Sequence, residues 1–366
     1  MLGRTVLFAL IFTAVIGTVH AILIAAIVLA PFSRSAYRTV VEAVEWTWLT
    51  NAAAMIEMIA GVNIRATGDA LLGSDRRVLI ICNHNNRLDW MFLWCLAARV
   101  GLCSTLKIAL KDSLRRAPWF GWAMQAFLFV FLRRNDRDGD LRRIRETLAH
   151  CIGHGDGVAL LVFPEGTDLS PDNQAKDAKY AQQKSLQVYR HVLHPRTAGF
   201  AQTCQAYGSS LDAIYDVTVR YDNHSNVTAS ADPRPSEGSA LLKGCWPGCV
   251  HFHCERYAVQ QVAPLLAATP DAASKAEAWL NRVWMAKEKR LAEAAAGTAN
   301  PQLTPRPTLK YVLVMFGWSA VTLLLCSWGG WTLLAYTVLG SGVLGLITQA
   351  GGLDAFEYGY HRAPHA

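Results

Sequence analysis

The sequence predicts an α/β domain built on a mixed, largely parallel sheet and flanked at both ends by transmembrane helices. Three observations carry that prediction. Short apolar runs alternate with helix-patterned segments through the middle of the chain, the mark of strands joined by crossover helices. Two stretches free of Asp, Glu, Lys and Arg lie towards the ends, Thr5–Ala30 and Tyr311–Leu353. A histidine and an aspartate five residues apart, His84 and Asp89, directly follow one of the apolar runs.

The first uncharged stretch, 26 residues long, is enough to span a bilayer core as a transmembrane helix over 5–30. A cleaved signal peptide is the other reading, with Val28-Leu29-Ala30 as its cleavage site; signal cores run only ~7–15 residues, which favours retention. Residues 35–63 read as an amphipathic helix with Val40, Val41, Val44, Trp48 and Ala52 on one side. Glu42 and Glu45 interrupt the pattern, which predicts a helix lying on the membrane interface rather than a further span.

A catalytic domain is expected over 64–297. A loop around Thr67-Gly68-Asp69 leads to the strand Val78–Cys82. Residues five apart on one helix lie about 140° around its axis and do not face each other. His84 and Asp89 therefore meet only if His84 sits on the turn and Asp89 in the first turns of the next helix, which continues over 90–100. Further strands are expected at Leu106–Leu110, at Phe127–Leu132 (ending in Arg133-Arg134) and at Val158–Phe163, with a helix over Asp140–His150. The last of these strands closes on Pro164-Glu165-Gly166-Thr167. His84, Arg134 and Glu165 all follow strand ends, where ligands gather in such sheets. Residues 267–297 read as helix and 298–310 as a proline-bearing linker. The second uncharged stretch, 43 residues with Gly329-Gly330 near its middle, suggests two short membrane helices joined by a turn, or one span plus a re-entrant segment.

Of 35 Lys and Arg, only Arg4 and Arg362 fall outside 31–310, and of 28 Asp and Glu only Asp354 and Glu357. The whole net charge of +7 therefore sits in the middle region, which suits anionic headgroups or a polyphosphate ligand. No aromatic-basic recognition motif points to nucleic acid. Nine scattered cysteines argue for a reduced, cytosol-facing domain. Cys245, Cys249, Cys254, His251 and His253 raise a zinc site, but residues 250–257 alternate as a strand, which turns neighbours to opposite faces, so no metal is expected. Glycosylation sequons at Asn223 and Asn226 matter only on a lumenal face.

Four blocks in order now carry a resemblance: Asn83-His84-Asn85-Asn86-Arg87-Leu88-Asp89, Phe131-Leu132-Arg133-Arg134, Phe163-Pro164-Glu165-Gly166-Thr167 and His194-Pro195-Arg196-Thr197. Over roughly residues 45–290 the chain resembles the membrane glycerolipid acyltransferases, and most of all their lysocardiolipin acyltransferase-like branch. The resemblance implies transfer of a fatty acyl group from acyl-CoA to a lysophospholipid hydroxyl, with His84 as general base and Asp89 as its partner. It implies that Arg134 and Glu165, Gly166 and Thr167 bind the acceptor's phosphate or glycerol. No cofactor is implied beyond acyl-CoA as co-substrate, and the bilayer is the expected partner surface. The family's commonest address is the endoplasmic reticulum, with the catalytic domain facing the cytosol. Many members carry Arg after the Glu-Gly-Thr block, whereas this chain has Asp168, as the lysocardiolipin-like branch does. That exchange points to phosphodiester acceptors rather than lysophosphatidic acid.

The chemistry agrees with the blocks. An alcohol is a poor nucleophile at neutral pH, and a positioned imidazole contributes ~10²–10⁴-fold. A thioester is already activated, so no cysteine need form an acyl-enzyme. Backbone N–H groups near Gly166 or Asn83 are candidate oxyanion donors. Two other readings stand beside this one: a non-catalytic membrane scaffold that binds anionic lipid, and a transacylase that needs no CoA.

Overall fold

The structure, a computed structural model, describes residues 2–69, 74–222, 236–267, 269–295 and 307–360. The helices are α1 (Leu2–Ile27), α2 (Arg34–Ala54), α3 (Asp89–Val100), α4 (Phe120–Ala126), α5 (Arg137–Gly153), α6 (Pro171–Gln183), α7 (Thr197–Tyr207), α8 (Glu237–Lys243), α9 (Val259–Leu266), α10 (Ala272–Ala295), α11 (Thr308–Gln349) and α12 (Leu353–Tyr360). The strands are β1 (Asn63–Gly68), β2 (Arg77–Cys82), β3 (Leu106–Lys111), β4 (Val130–Leu132), β5 (Val158–Val162), β6 (Ala213–Asp222) and β7 (Cys249–Ala258). The chain forms two compact units: Met1–Ala60, Trp94–Val158 and Arg306–Ala366 in the first, Gly61–Leu93 and Ala159–Pro305 in the second. Residues 94–158, expected inside one catalytic domain, thus group with the terminal helices.

In the first unit, β3 and β4 pair in parallel and α1, α2 and α11 pack on one another. α2 buries Tyr37, Val41, Val44 and Trp48. Of the two acids that interrupt its apolar face, the Glu42 side chain is exposed and Glu45 is buried. Glu45 is fully buried because Lys107 of β3 brings its Nζ within 2.8 Å of both carboxylate oxygens. Glu57, in the short helical turn after α2, is likewise buried and bonded by Arg99 and the Tyr311 hydroxyl. Buried charges are tolerated when paired in this way. At the other end, Glu357 of α12 accepts from Arg38 and lies 2.9 Å from the His150 Nε2.

Two expectations need correcting here. α11 runs unbroken through Gly329 and Gly330, where two short helices were expected; glycine inside a helix costs about 1 kcal/mol and forces no turn. The apolar run 127–132 is not one strand. α4 ends at Ala126, Leu128 takes a positive φ of 59°, and only Val130–Leu132 pairs with β3, since an apolar run alone does not separate a buried helix end from a strand. Among the described residues no helix is long and apolar enough to cross a membrane; transmembrane helices were expected over 5–30 and 311–353.

In the second unit the strands lie in the order β1-β7-β6-β2-β5. β1 runs parallel to β7, β6 antiparallel to β7, and β2 parallel to β6, so the fold is α/β with a mixed, mostly parallel sheet. β1 and β6 were not anticipated; β1 occupies the end of the expected helix 35–63 and the expected loop after it. The β2–β6 register sets Cys82 against Val217 and so fixes what stands beside the residues that follow β2. The sequons Asn223 and Asn226 and linker residues 298–306 lie outside the described residues.

Candidate active site

The site of the second unit begins where β2 runs out. Asn83 continues the ladder with its side chain: Nδ2 donates to the Val219 carbonyl at 3.0 Å and Oδ1 accepts the Val219 N–H at 2.8 Å. The main chain is thereby free to turn outward at His84. Three residues on, the Asn86 Oδ1 accepts the Leu88 N–H at 2.8 Å, and α3 starts at Asp89, where a carboxylate is favoured by the helix dipole.

That turn brings the two residues together. His84 Nδ1 lies 3.0 Å from Asp89 Oδ2. The same oxygen accepts the Asn86 N–H at 2.8 Å, and Asp89 Oδ1 accepts the Tyr221 hydroxyl. Asp89 is fully buried, while the His84 side chain keeps 13% exposure. Its Nε2 bonds to no group among the described residues. An imidazole fixed at Nδ1 by a buried carboxylate and open at Nε2 can take a proton there and hold the resulting charge.

A second turn locks onto the first. Pro164 and Glu165 occupy the middle of a turn closed by the Gly166 N–H on the Phe163 carbonyl at 2.9 Å. The Gly166 N–H is therefore committed and does not serve as the oxyanion donor considered from sequence. Gly166 itself has φ +74°, which favours glycine, and a Cβ there would stand 2.9 Å from the Arg196 Nε, so the arginine side chain would have to shift. The Phe163 ring stacks on the His84 ring at 4.4 Å between centroids, and the His84 carbonyl accepts the Leu169 N–H at 2.8 Å.

Glu165 supplies the central tie. Only 3% exposed, it accepts the His84 N–H at 3.3 Å, the Leu193 N–H at 3.2 Å and the Trp284 Nε1–H at 3.3 Å. Burial pushes its carboxyl up to about 8 against the pull of these donors. Sequence reasoning gave Glu165 an acceptor-binding role; here its carboxyl accepts from three of the protein's own N–H groups. Thr167 Oγ1 accepts from Asn173 Nδ2 at 2.8 Å, and Asp168 Oδ2 lies 3.7 Å from the exposed Arg87 guanidinium.

Arg134 belongs to the first unit. It follows β4 with φ 68°, and its N–H, like that of Arg133, donates to the Asp140 carboxylate at 2.7 Å. A non-glycine residue held in this region by its neighbours is the kind of strain found at working sites. Its side chain is exposed. Among the described residues no group of three or more metal-ligating side chains occurs. Tyr221 and Trp284, which complete the cluster with Phe163 of the third block, carry no motif signal; only an alternating pattern over 213–222 could have put Tyr221 on a strand.

An acyltransferase family model matches residues 63–222. Lysocardiolipin acyltransferase 1 of Danio rerio is 38% identical over 261 residues, 71% of this chain and 63% of that protein. The Mus musculus protein of the same name is 36% identical over 275 residues, 75% of this chain and 68% of that protein. The probable 1-acyl-sn-glycerol-3-phosphate acyltransferase 5 of Arabidopsis thaliana is 32% identical over 289 residues, 79% of this chain and 72% of that protein. The chain thus spans rather less than two thirds of the Danio rerio relative's length.

Proposed function

The chain belongs to the acyltransferase family that includes the lysocardiolipin and 1-acyl-sn-glycerol-3-phosphate acyltransferases, and we propose that it moves a fatty acyl group from acyl-CoA to the free hydroxyl of a lysophospholipid, with His84 as general base. The observation that carries this reading is the imidazole gripped at Nδ1 by buried Asp89 and open at Nε2. The acceptor oxygen attacks the thioester carbonyl carbon as His84 Nε2 takes its proton. Asp89 holds the Nδ1–H and offsets the imidazolium charge. Collapse of the tetrahedral intermediate breaks the C–S bond, and the imidazolium returns the proton to the departing thiolate. No enzyme nucleophile and no metal enters.

The acceptor lies against the Glu165–Gly166–Thr167 turn; the planar guanidinium of Arg134 has the chemistry to bind a phosphate. The relatives' names divide between a phosphodiester acceptor and a phosphomonoester. Asp168 follows the turn and puts negative charge there, which supports a phosphodiester lysolipid such as lysophosphatidylglycerol, lysophosphatidylinositol or monolysocardiolipin over lysophosphatidic acid. The uncharged stretches Thr5–Ala30 and Tyr311–Leu353 attach the protein to the membrane that holds acceptor and product, in this reading the endoplasmic reticulum with the site on its cytosolic face.

The test is a radiolabelled acyl-CoA assay of the purified full chain over these four acceptors, with and without His84→Ala. The expected outcome is acyl-CoA-dependent transfer to the diesters that falls to background in the variant. Product without added acyl-CoA would establish a transacylase, near-normal His84→Ala turnover would remove the base, and a clear lysophosphatidic acid preference would overturn the argument from Asp168.

A further inference from the structure

The fourth sequence block is held in a way that no motif announces. From Arg190 to His194 the main chain lies outside regular helix and strand, yet each of its five consecutive N–H groups is taken by a side-chain carboxylate. Glu288 accepts from Arg190 at 2.8 Å, His191 at 2.8 Å and Val192 at 3.2 Å. Glu165 accepts from Leu193 at 3.2 Å, and Asp177 from His194 at 3.0 Å. Pro195 has no N–H, and the Arg196 N–H donates to the Pro164 carbonyl at 2.8 Å. No sheet or helix ladder fixes this segment, so three acidic side chains do.

Two of the three acidic side chains trace back to α10. Trp284, Lys287 and Glu288 stand three and four residues apart and share one helix face. Trp284, fully buried, donates Nε1–H to Glu165. Lys287, also fully buried, lies over the Trp284 ring and donates to Asp216 Oδ1 at 2.6 Å and the Val217 carbonyl at 2.7 Å. One helix face therefore grips the Glu165 turn, the strand that carries Tyr221, and the loop that leads to Arg196.

We propose that Glu288 and Trp284 are positioning residues: Glu288 sets the 190–196 loop that borders the acceptor, and Trp284 sets Glu165, through which it acts on the main chain of His84. The proposal rests on the acyltransferase reading above and assigns the two residues to different kinetic parameters. Loosening the loop weakens acceptor binding, whereas displacing Glu165 shifts the base.

Hydrogen exchange and steady-state kinetics on the purified full chain test it together. In Glu288→Gln an amide NH2 replaces one acceptor facing three donors. The 190–192 amides should exchange faster while β2 and β6 stay protected. Acceptor KM should rise about tenfold, the loss of roughly one charge-assisted hydrogen bond, with kcat within about twofold. Glu288→Asp should recover part of the KM, which a merely unfolded variant would not. Trp284→Phe removes one N–H from a ring-shaped filler and should lower kcat about tenfold with KM unmoved. Unchanged exchange at 190–192 in Glu288→Gln overturns the positioning claim whatever the enzyme acylates. Faster exchange with an unmoved KM, or a Trp284→Phe variant with wild-type kcat, overturns its functional half. Lack of any acyl transfer by the wild-type chain, with the exchange result as expected, would instead count against the acyltransferase reading.

Discussion

Replacing Asp89 by Asn separates the charge of the dyad from its shape. Asp89 Oδ2 accepts from His84 and Asn86, and Oδ1 accepts from the Tyr221 hydroxyl. An asparagine can leave its carbonyl oxygen on the His84 and Asn86 side and turn its NH2 towards Tyr221, whose hydroxyl reverses to accept. The other flip sets NH2 against the Asn86 N–H and costs about 1–3 kcal/mol, so the first orientation prevails. The position and tautomer of His84 then survive, and the negative charge facing the imidazolium is lost. With charge centres roughly 4 Å apart and an effective dielectric of about 20, that attraction is about 4 kcal/mol, or about 10³-fold in rate. Steady-state acyl transfer should show kcat reduced by about 10³ with acceptor KM unchanged, and thermal melting should move only a few degrees. A variant within tenfold of wild-type kcat would refute the dyad as the catalytic base. Adding Tyr221→Phe to Asp89→Asn removes the reversible hydroxyl, so the melting temperature should fall further without recovery of kcat.

Two further variants probe buried charge. Glu165 keeps its proton in the folded protein up to about 8 rather than its ordinary 4.5, so the native state binds more protons than the unfolded chain between these values and stability is lost as pH rises through that window; Glu165→Gln, measured by urea unfolding at pH 6 and pH 9 beside the wild type, should reduce this fall, and an identical pH slope would disprove it. Lys107→Met leaves Glu45 buried without its partner and should cost about 3–5 kcal/mol, while the double change with Glu45→Met should recover most of that; a single variant as stable as the wild type would show that the pair does not hold α2 against β3.

The parts of the fold legible in the sequence are those with local cause. The run Val78–Cys82 shows as a strand because it is continuously apolar, and the residues after it must turn because Asn83, His84 and Asn85 cannot all enter a buried ladder. The His84–Asp89 spacing then leaves one local geometry in which the pair can touch. Arg134 was legible for the same reason, as a charged residue at a strand end, although the main-chain grip of Asp140 that holds it at φ 68° was not. The burial of Glu45 was hidden because its partner is 62 residues away on β3, and an acid on an apolar face looks the same whether water or an ammonium group meets it. The unbroken α11 was hidden because Gly329-Gly330 permits a turn without enforcing one.

What the sequence conceals about the site itself comes down to register. The Val219 main chain meets the Asn83 side chain because β2 and β6 align Cys82 with Val217. Val219 and Tyr221 are two apart, so they share the face on which Val217 begins. Tyr221 reaches Asp89 from that face and no other. A slip of one residue between β2 and β6 would carry the tyrosine to the opposite side and leave a fully buried carboxylate short of a donor, a loss of about 1–3 kcal/mol. The opposite face of β6 is pinned in the same sense, since Lys287 bonds Asp216, Val217 and Thr218 in succession. A buried lysine that takes three neighbouring groups of one strand tolerates a single register. The placement of the base thus depends on a helix nearly two hundred residues further along the chain, and the requirement appears in the sequence only as an unremarkable lysine in an Ala-, Glu- and Lys-rich helix.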